Sequence, residues 1–362
     1  MTPSHVVMPH VVTPSRVRIG LLLLSLAAFA PGAGAQWTQV QSGTSASFRG
    51  MSVVNRDVAW ISGTGGTFET TSDGGKTWQA GTAPGAASFD FRAVQAFSLD
   101  TAVLMVSAQD TGLIYRTTDR GKSWNVQYRN VANGVFLDGM VFLDSQHGFA
   151  VGDPMDGHFV LLETRDGGQR WTQIPAAGLP ASLPGEGAFA ASGTSLAACG
   201  RSDIWLGTGG AATARVFHSS DGGKNWSVAS TPISAGLAPA GIFSLACRDA
   251  KHLIAVGGNY SKPDPGQVTV AISDDGGATW SASRPDSATA FLSGVSYLKT
   301  AGIPGAVLAV GTEGSAYSTD FGRTWKRMDR LSLNAIRPRG DGSALAAGGR
   351  GRVMVLGQLP SR

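Results

Sequence analysis

The chain has 362 residues, of which 42% are hydrophobic and 15% charged, with 50 glycines, 17 prolines and two cysteines. That is enough apolar material for a sizeable core, which excludes intrinsic disorder, and too little charge for a coiled coil or a long solvated helix. The formal net charge of +4 is spread without any lysine- and arginine-rich block, so no nucleic-acid partner is expected.

The first 35 residues read as an address. Arg16 and Arg18 precede an apolar run from Ile19 to Ala30, Pro31 breaks it, and Ala33-Gly34-Ala35 stands before Gln36. This is the pattern of a secretory signal peptide, with cleavage predicted after Ala35. The run is shorter than the roughly 20 residues a bilayer requires, although an uncleaved N-terminal anchor is the alternative. No cysteine near the site suggests a lipoprotein, and no later segment approaches spanning length. A secreted or periplasmic protein is expected, with no transmembrane segment after signal removal. Loss of Arg16 and Arg18 takes the net charge from +4 to +2.

From Gln36 onward the chain repeats itself. Six segments share the pattern S/T-x-D-x-G-x-x-W: Thr71–Trp78, Thr117–Trp124, Thr164–Trp171, Ser219–Trp226, Ser273–Trp280 and Ser318–Trp325. Their tryptophans are 46, 47, 55, 54 and 45 residues apart. In each, the hydroxyl residue ends one strand. The aspartate (Asp73, Asp119, Asp166, Asp221, Asp275 or Asp320) can accept backbone N–H bonds at the turn, and glycine supplies positive φ. The tryptophan then begins the return strand and packs beneath the turn.

Short β-runs lie between these turns, among them Val58–Ser62, Gly148–Gly152, Phe159–Glu163, Leu253–Gly257 and Val307–Gly311. Each unit therefore holds four strands, A to D, with the repeated turn between C and D. Four strands in a period of 40–50 residues indicate propeller blades. After the last tryptophan, Leu333–Ile336, Ala344–Ala347 and Arg352–Leu356 supply only three strands. Trp37-Thr38-Gln39-Val40 resembles Trp171-Thr172-Gln173-Ile174, and is read as the missing outer strand. The prediction is an all-β fold: residues 36–362 form a single seven-bladed β-propeller whose two termini close the last blade.

The repeated turn resembles the Asp-box, or BNR repeat, of sialidases, xyloglucan-cleaving glycosidases, sortilin-type receptors and the photosystem II stability/assembly factor group. Six turns in one ring behind a signal peptide are most similar to that last group and its bacterial relatives. The resemblance implies a non-catalytic scaffold that binds a protein or peptide, with the turn aspartates structural and away from any site. It also implies an arginine patch. Sialidases are the more distant relatives, and they imply an alternative: an exo-glycosidase with arginines on a substrate carboxylate, a tyrosine–glutamate nucleophile and an aspartate acid. Their F/Y-R-I-P motif survives only as Phe48-Arg49 and Phe91-Arg92.

Propeller topology gathers A-strand starts and B–C loops on one face, at the mouth of the central channel. The candidate ligand-binding residues are therefore Arg49, Arg92, Asp138 and Glu186 at A-strand starts; Asp153, Asn259, Tyr260, Glu313 and Arg350 at B–C loops; and Arg215 just beyond one. Arginines with a few carboxylates suit an anion or a peptide carboxylate, or they pair with one another structurally. Tyr260, Glu186 and Asp153 are the catalytic candidates of the glycosidase alternative, for which a glycan would be the ligand. Extra length is expected at Pro175–Gly187, Thr194–Ser202 and Asn259–Gln267, the first and third on the mouth face.

Cys199 and Cys247 both fall near A–B turns of neighbouring blades and permit one bridge, or stand as separate buried thiols. His158, His218 and His252 form no ligand-spaced set, so no metal is expected. No phosphate-cradling loop is present and no cofactor is expected. Trp60 and Trp205 occupy matching B-strand positions and are read as inter-blade core.

Overall fold

The computed structural model describes residues 37–108, 111–130, 135–175, 177–283 and 290–359, so the segment read as a signal peptide and its expected cleavage after Ala35 lie outside the described residues. Every strand or helix found among the described residues is a β-strand. The chain begins with β1 (Trp37–Gln41) and then builds six sheets in succession. Blade 1 is β2 (Phe48–Val53), β3 (Ala59–Gly63), β4 (Thr67–Thr71) and β5 (Gln79–Thr82). Blade 2 is β6 (Phe91–Ala96), β7 (Ala102–Ala108), β8 (Thr111–Thr117) and β9 (Asn125–Arg129). Blade 3 is β10 (Leu137–Phe142), β11 (Gly148–Met155), β12 (His158–Thr164) and β13 (Thr172–Gln173). Blade 4 is β14 (Leu196–Cys199), β15 (Asp203–Gly207), β16 (Arg215–Ser219) and β17 (Ser227–Ser230). Blade 5 is β18 (Ala240–Cys247), β19 (Leu253–Asn259), β20 (Val270–Ser273) and β21 (Ser281–Ala282). Blade 6 is β22 (Gly294–Tyr297), β23 (Val307–Gly311), β24 (Gly314–Ser318) and β25 (Lys326–Arg327).

Blade 7 joins the two ends of the chain. β26 (Ala335–Pro338), β27 (Ala344–Ala347) and β28 (Arg352–Leu356) are completed by β1, in the order β1-β28-β27-β26. Trp37 lies opposite Leu356 and Gln41 opposite Arg352. The first strands β2, β6, β10, β14, β18, β22 and β26 each touch the next, and β26 touches β2. The ring is therefore closed, with no blade left unpartnered.

The core lies between the blades. Trp60, Phe68, Phe91 and Leu104 join blades 1 and 2, while Trp205, Ile242 and Leu253 join blades 4 and 5. The circuit ends with Met51, Ile61, Leu345 and Val353 between blades 1 and 7. Each fully buried large side chain contributes roughly 1.5–3 kcal/mol. Trp60 and Trp205 are fully buried, and their indole N–H groups donate to Ser98 O at 3.1 Å and Gly276 O at 2.8 Å.

The repeated turns follow one hydrogen-bond scheme. In the first, the Thr71 hydroxyl donates to Asp73 Oδ1 at 2.9 Å and accepts the Gly75 N–H at 2.9 Å. Asp73 also accepts the Thr77 N–H at 3.0 Å and the Thr77 hydroxyl at 2.6 Å. These Thr77 bonds hold the Asp73 carboxyl down at about 2. Gly74 N–H reaches the A–B turn at Asp57 O, and Gly167, Gly222 and Gly276 repeat that bond to Gln146, Ser202 and Lys251. The repeated turns and A–B turns therefore share one face.

Two expectations about length need correction. Thr194–Ser202 is no insertion: it holds β14 and a tight turn into β15. The extra residues of blade 4 lie chiefly between β13 and β14, with a further lengthening of the loop between β15 and β16. The first strand of blade 7 starts at Ala335 rather than Leu333, because the Leu333 N–H is taken by Gly311 O of blade 6. Cys199 and Cys247 are joined by a disulfide between the ends of β14 and β18, with Cα atoms 6.2 Å apart.

Candidate functional site

Four first strands carry a β-bulge near their start. The register shifts between Phe48 and Gly50, Phe91 and Ala93, Leu137 and Gly139, and Ile242 and Ser244. The extra residues are Arg49, Arg92, Asp138 and Phe243. Bulges re-aim side chains, and this one recurs where the seven first strands converge. It gives the mouth two chemically different halves.

Blades 1 to 3 supply an ionic half. Arg92 Nε donates to Asp90 Oδ2 at 2.9 Å, and Arg92 Nη1 to Ala190 O at 3.3 Å. Arg49 is lowered from its ordinary pKa by burial first and by the Arg92 charge second, with Asp90 opposing both. Asp138 is buried; burial and then the Asp153 carboxylate push its pKa up, against Arg92. Asp153 is raised by its own burial and accepts the Ala188 N–H at 3.2 Å. Arg49 Nε, Asp90 Oδ1 and Asp138 Oδ2 are buried without a hydrogen-bond partner among the described residues. Buried polar atoms without partners are costly, and three in one cluster leave room for a polar ligand group.

Blades 4 to 6 supply an aromatic half. Phe189 stacks on Phe243 at 3.9 Å, and Phe291 meets Phe243 edge-on at 4.9 Å. Tyr260 lies against both Phe243 and Phe291 and is 54% exposed, while Leu237, in the adjoining loop, is 58% exposed. The Tyr260 N–H is bound to Pro239 O, which ties the two loops together.

The remaining candidates are not brought to this cluster. Glu186 does not start a strand; it lies in the link ahead of β14, because the extra length of blade 4 precedes its first strand. Its Oε1 accepts from Thr208 Oγ1 at 2.6 Å and Arg215 Nε at 2.9 Å. Its Oε2 accepts the Leu183 N–H at 2.8 Å and Arg215 Nη2. Glu186 and Arg215 are thus a buried ion pair holding the link. Asn259 is buried and shapes its own loop, its Oδ1 accepting from Ser261 and Lys262 N–H groups at 3.0 Å. Glu313 and Arg350 are exposed in tight turns, Arg350 with a φ of 60°. His218 is spent on Trp205 and Asp203, and His252 on Asp249. Among the described residues no group of three His, Cys, Asp or Glu could hold a metal ion.

Two features were not anticipated from the sequence. One is the aromatic half, although Phe243 stands at the same register as Arg49 and Arg92. The other is a cavity of about 930 Å³ that opens among the A–B turns, on the opposite face. All seven first strands line it, and Arg248, Lys299, Arg337 and Arg339 are its charged residues.

Seven four-stranded sheets closed around a channel define a seven-bladed β-propeller. The chain belongs to the family described as photosynthesis system II assembly factor YCF48, whose model matches residues 31–131 and 127–343. Among solved structures it is similar to one described as YCF48 bound to D1 peptide, with a TM-score of 0.63, 17% identity, and coverage of 90% of this chain and 98% of that one. It is also similar to YCF48 from Cyanidioschyzon merolae, with a TM-score of 0.64, 18% identity, and coverage of 89% and 99%. The WD40 β-propeller domain of Doa1 follows at a TM-score of 0.59, 12% identity, and coverage of 89% and 97%. At these identities the structural likeness is one of fold. No curated protein sequence matches the chain. Among the described residues no helix is long and apolar enough to cross a membrane.

Proposed function

We propose that this protein is an exported, non-catalytic propeller that binds a protein or peptide segment at its B–C face and serves as an assembly scaffold. The observation that carries the reading is the divided mouth, where Arg49 and Arg92 sit beside an aromatic cluster capped by exposed Tyr260 and Leu237. An acidic or carboxy-terminal group would bind the arginines, and apolar side chains would cover the aromatic half. The D1 peptide on the similar YCF48 structure supports a peptide partner for a propeller of this family. Export is part of the proposal and rests on the segment ending at Ala35.

Nothing in the geometry favours the glycosidase alternative. A tyrosine nucleophile needs a carboxylate free to take its proton. All four acceptor sites of Glu186 are engaged by Thr208, Leu183 and Arg215.

The test is capture of partners from the host envelope by wild type and by the Arg49→Ala/Arg92→Ala and Tyr260→Ala variants, read by quantitative mass spectrometry. The reading requires at least one protein whose capture falls about tenfold or more in both variants, the size expected for losing a charge-assisted pair or an aromatic anchor. Capture that ignores both variants, or hydrolysis of fluorogenic sialosides abolished by Tyr260→Phe, would overturn it. Intact mass of the envelope-isolated protein should place its first residue at Gln36.

A further inference from the structure

We propose that the channel opening at the A–B turn face is a second ligand site, which takes a carboxylate carried on an apolar chain and anchors it on Arg337. The site is independent of the B–C mouth, so either can fail alone.

The cavity of about 930 Å³ lies in the range of small-molecule pockets. Its walls come mainly from the first strands and are mixed: Val53, Val141, Ala198 and Ala246 stand beside Ser52, Gln95, Thr194 and Ser296, with the buried Met51 and Leu245 behind them. Among the described residues no aspartate or glutamate lines it. Of its four cations, two are committed elsewhere. Arg248 pairs with Asp249 at 3.1 Å and lies over the Phe321 ring at 4.6 Å, and Arg339 donates twice to Arg56 O at 3.0 and 3.3 Å.

Arg337 is different. It belongs to β26, within the channel wall, and its Nη1 donates to Ile336 O at 2.8 Å. Its Nε and Nη2 have no hydrogen-bond partner among the described residues, and no carboxylate there lies within ion-pair distance. That free Nε/Nη2 edge is the one that grips a carboxylate through two parallel bonds. Arg337 is half-buried, and burial without a counter-charge pulls its guanidinium down to about 10. Lys299, exposed at the rim, adds attraction for an entering anion.

One deep cation with one free edge matches a monoanion better than a phosphate dianion, which would require more donors. The apolar part of the wall, with Val53, Val141, Ala198 and Ala246, can cover a hydrocarbon or apolar side chains behind the carboxylate. A free fatty acid and the carboxy terminus of an apolar peptide share that chemistry.

The test is calorimetric titration of the mature chain with decanoate, and with an apolar hexapeptide as its free acid and as its amide. Wild type should bind decanoate, the free-acid peptide, or both; the amide should bind about tenfold more weakly or worse, as expected for losing a charge-assisted pair. The ligand that binds identifies the source. Arg337→Met removes the charge but fills the space: it should lose binding about tenfold or more and melt higher than wild type without ligand, which a purely structural role for Arg337 would not produce. Ser296→Phe fills the channel while keeping Arg337, and should also abolish binding; it decides the question if Arg337→Met does not fold. No binding of either carboxylate by wild type, or equal binding by a folded variant, overturns the proposal.

Discussion

The indole N–H of Trp37 donates to the Ser315 hydroxyl at 3.1 Å across 278 residues of sequence, and Ser315 in turn donates to Asp329. The closing strand β1 is thus fastened to its own blade by the ladder with β28 and to blade 6 by this buried bond. Trp37 also packs on Leu308, Leu333 and Leu356. Trp37→Ala is expected to cost about 3–5 kcal/mol in urea unfolding, combining a large-to-small cavity with loss of the buried bond to Ser315. Deletion of Trp37–Gln41 should expose the β28 edge and produce aggregates in light scattering. A variant within about 1 kcal/mol of wild type would contradict closure as a source of stability.

Glu69 makes the same closure sensitive to pH. It is buried in β4, and its Oε1 accepts the N–H of Gly43, in the link between β1 and β2. Burial raises its pKa from 4.5 to about 7, and the bonds from Gly43 and Ser42 offset this only in part. Below 4.5 the carboxyl is neutral folded or unfolded, and Glu69 contributes no pH dependence. Between 4.5 and 7 the folded state holds the proton that the unfolded state releases, so stability falls as pH rises, and it levels off above 7. Glu69→Gln should therefore stabilise by about 1–3 kcal/mol at pH 8 and change little at pH 4. Urea titrations at the two pH values check this; an equal effect at both would show that the charge is not the cause.

Much of the architecture is legible because the repeated turn needs particular atoms at fixed offsets. A hydroxyl at Thr71, a carboxylate at Asp73 and a ring at Trp78 can be counted along the chain, and six such turns set the blades. Arg49, Arg92 and Asp138 could be placed at the mouth because each follows a large apolar residue at a strand start. Glu186 could not, since nothing local tells a link from a strand start when a blade carries extra residues. Phe243 and Phe291 carry no distinguishing signal, because a phenylalanine entering a strand has the same pattern whether it faces a neighbour or a mouth. Arg337 was hidden for a different reason. Only ring closure brings seven first strands around one cavity and shows that its guanidinium has no acid partner.

The second repeated turn contains a residue that its backbone disfavours. Where four of the turns carry glycine, Arg120 stands with a φ of 62°. A Cβ in that region crowds the following carbonyl oxygen, at a cost of roughly 1–2 kcal/mol. Its N–H still donates to Asp100 O at 2.9 Å, as in the other turns. The Arg120–Asp100 ion pair is exposed and returns little. Arg120→Gly should therefore stabilise the protein by about 0.5–1 kcal/mol in urea unfolding. Destabilisation would mean that the exposed pair matters more than the strained backbone.

The Cys199–Cys247 bridge ties the first strands of blades 4 and 5 on the face opposite the mouth, at a separation of 48 residues. A crosslink of that span restricts the unfolded chain and is worth about 2–4 kcal/mol. The double substitution Cys199→Ser/Cys247→Ser should lower the urea midpoint by a corresponding amount. It should also raise the urea m-value, because the uncrosslinked chain exposes more surface on unfolding. The bridge links stability to compartment as well, since such bonds persist where the surroundings are oxidising. Protein isolated from the envelope should show no reactive thiol. The same chain made without residues 1–35 in a reducing cytosol should carry two thiols and match the double variant in stability. Equal midpoints for the oxidised and reduced proteins would separate the bridge from the stability of the ring.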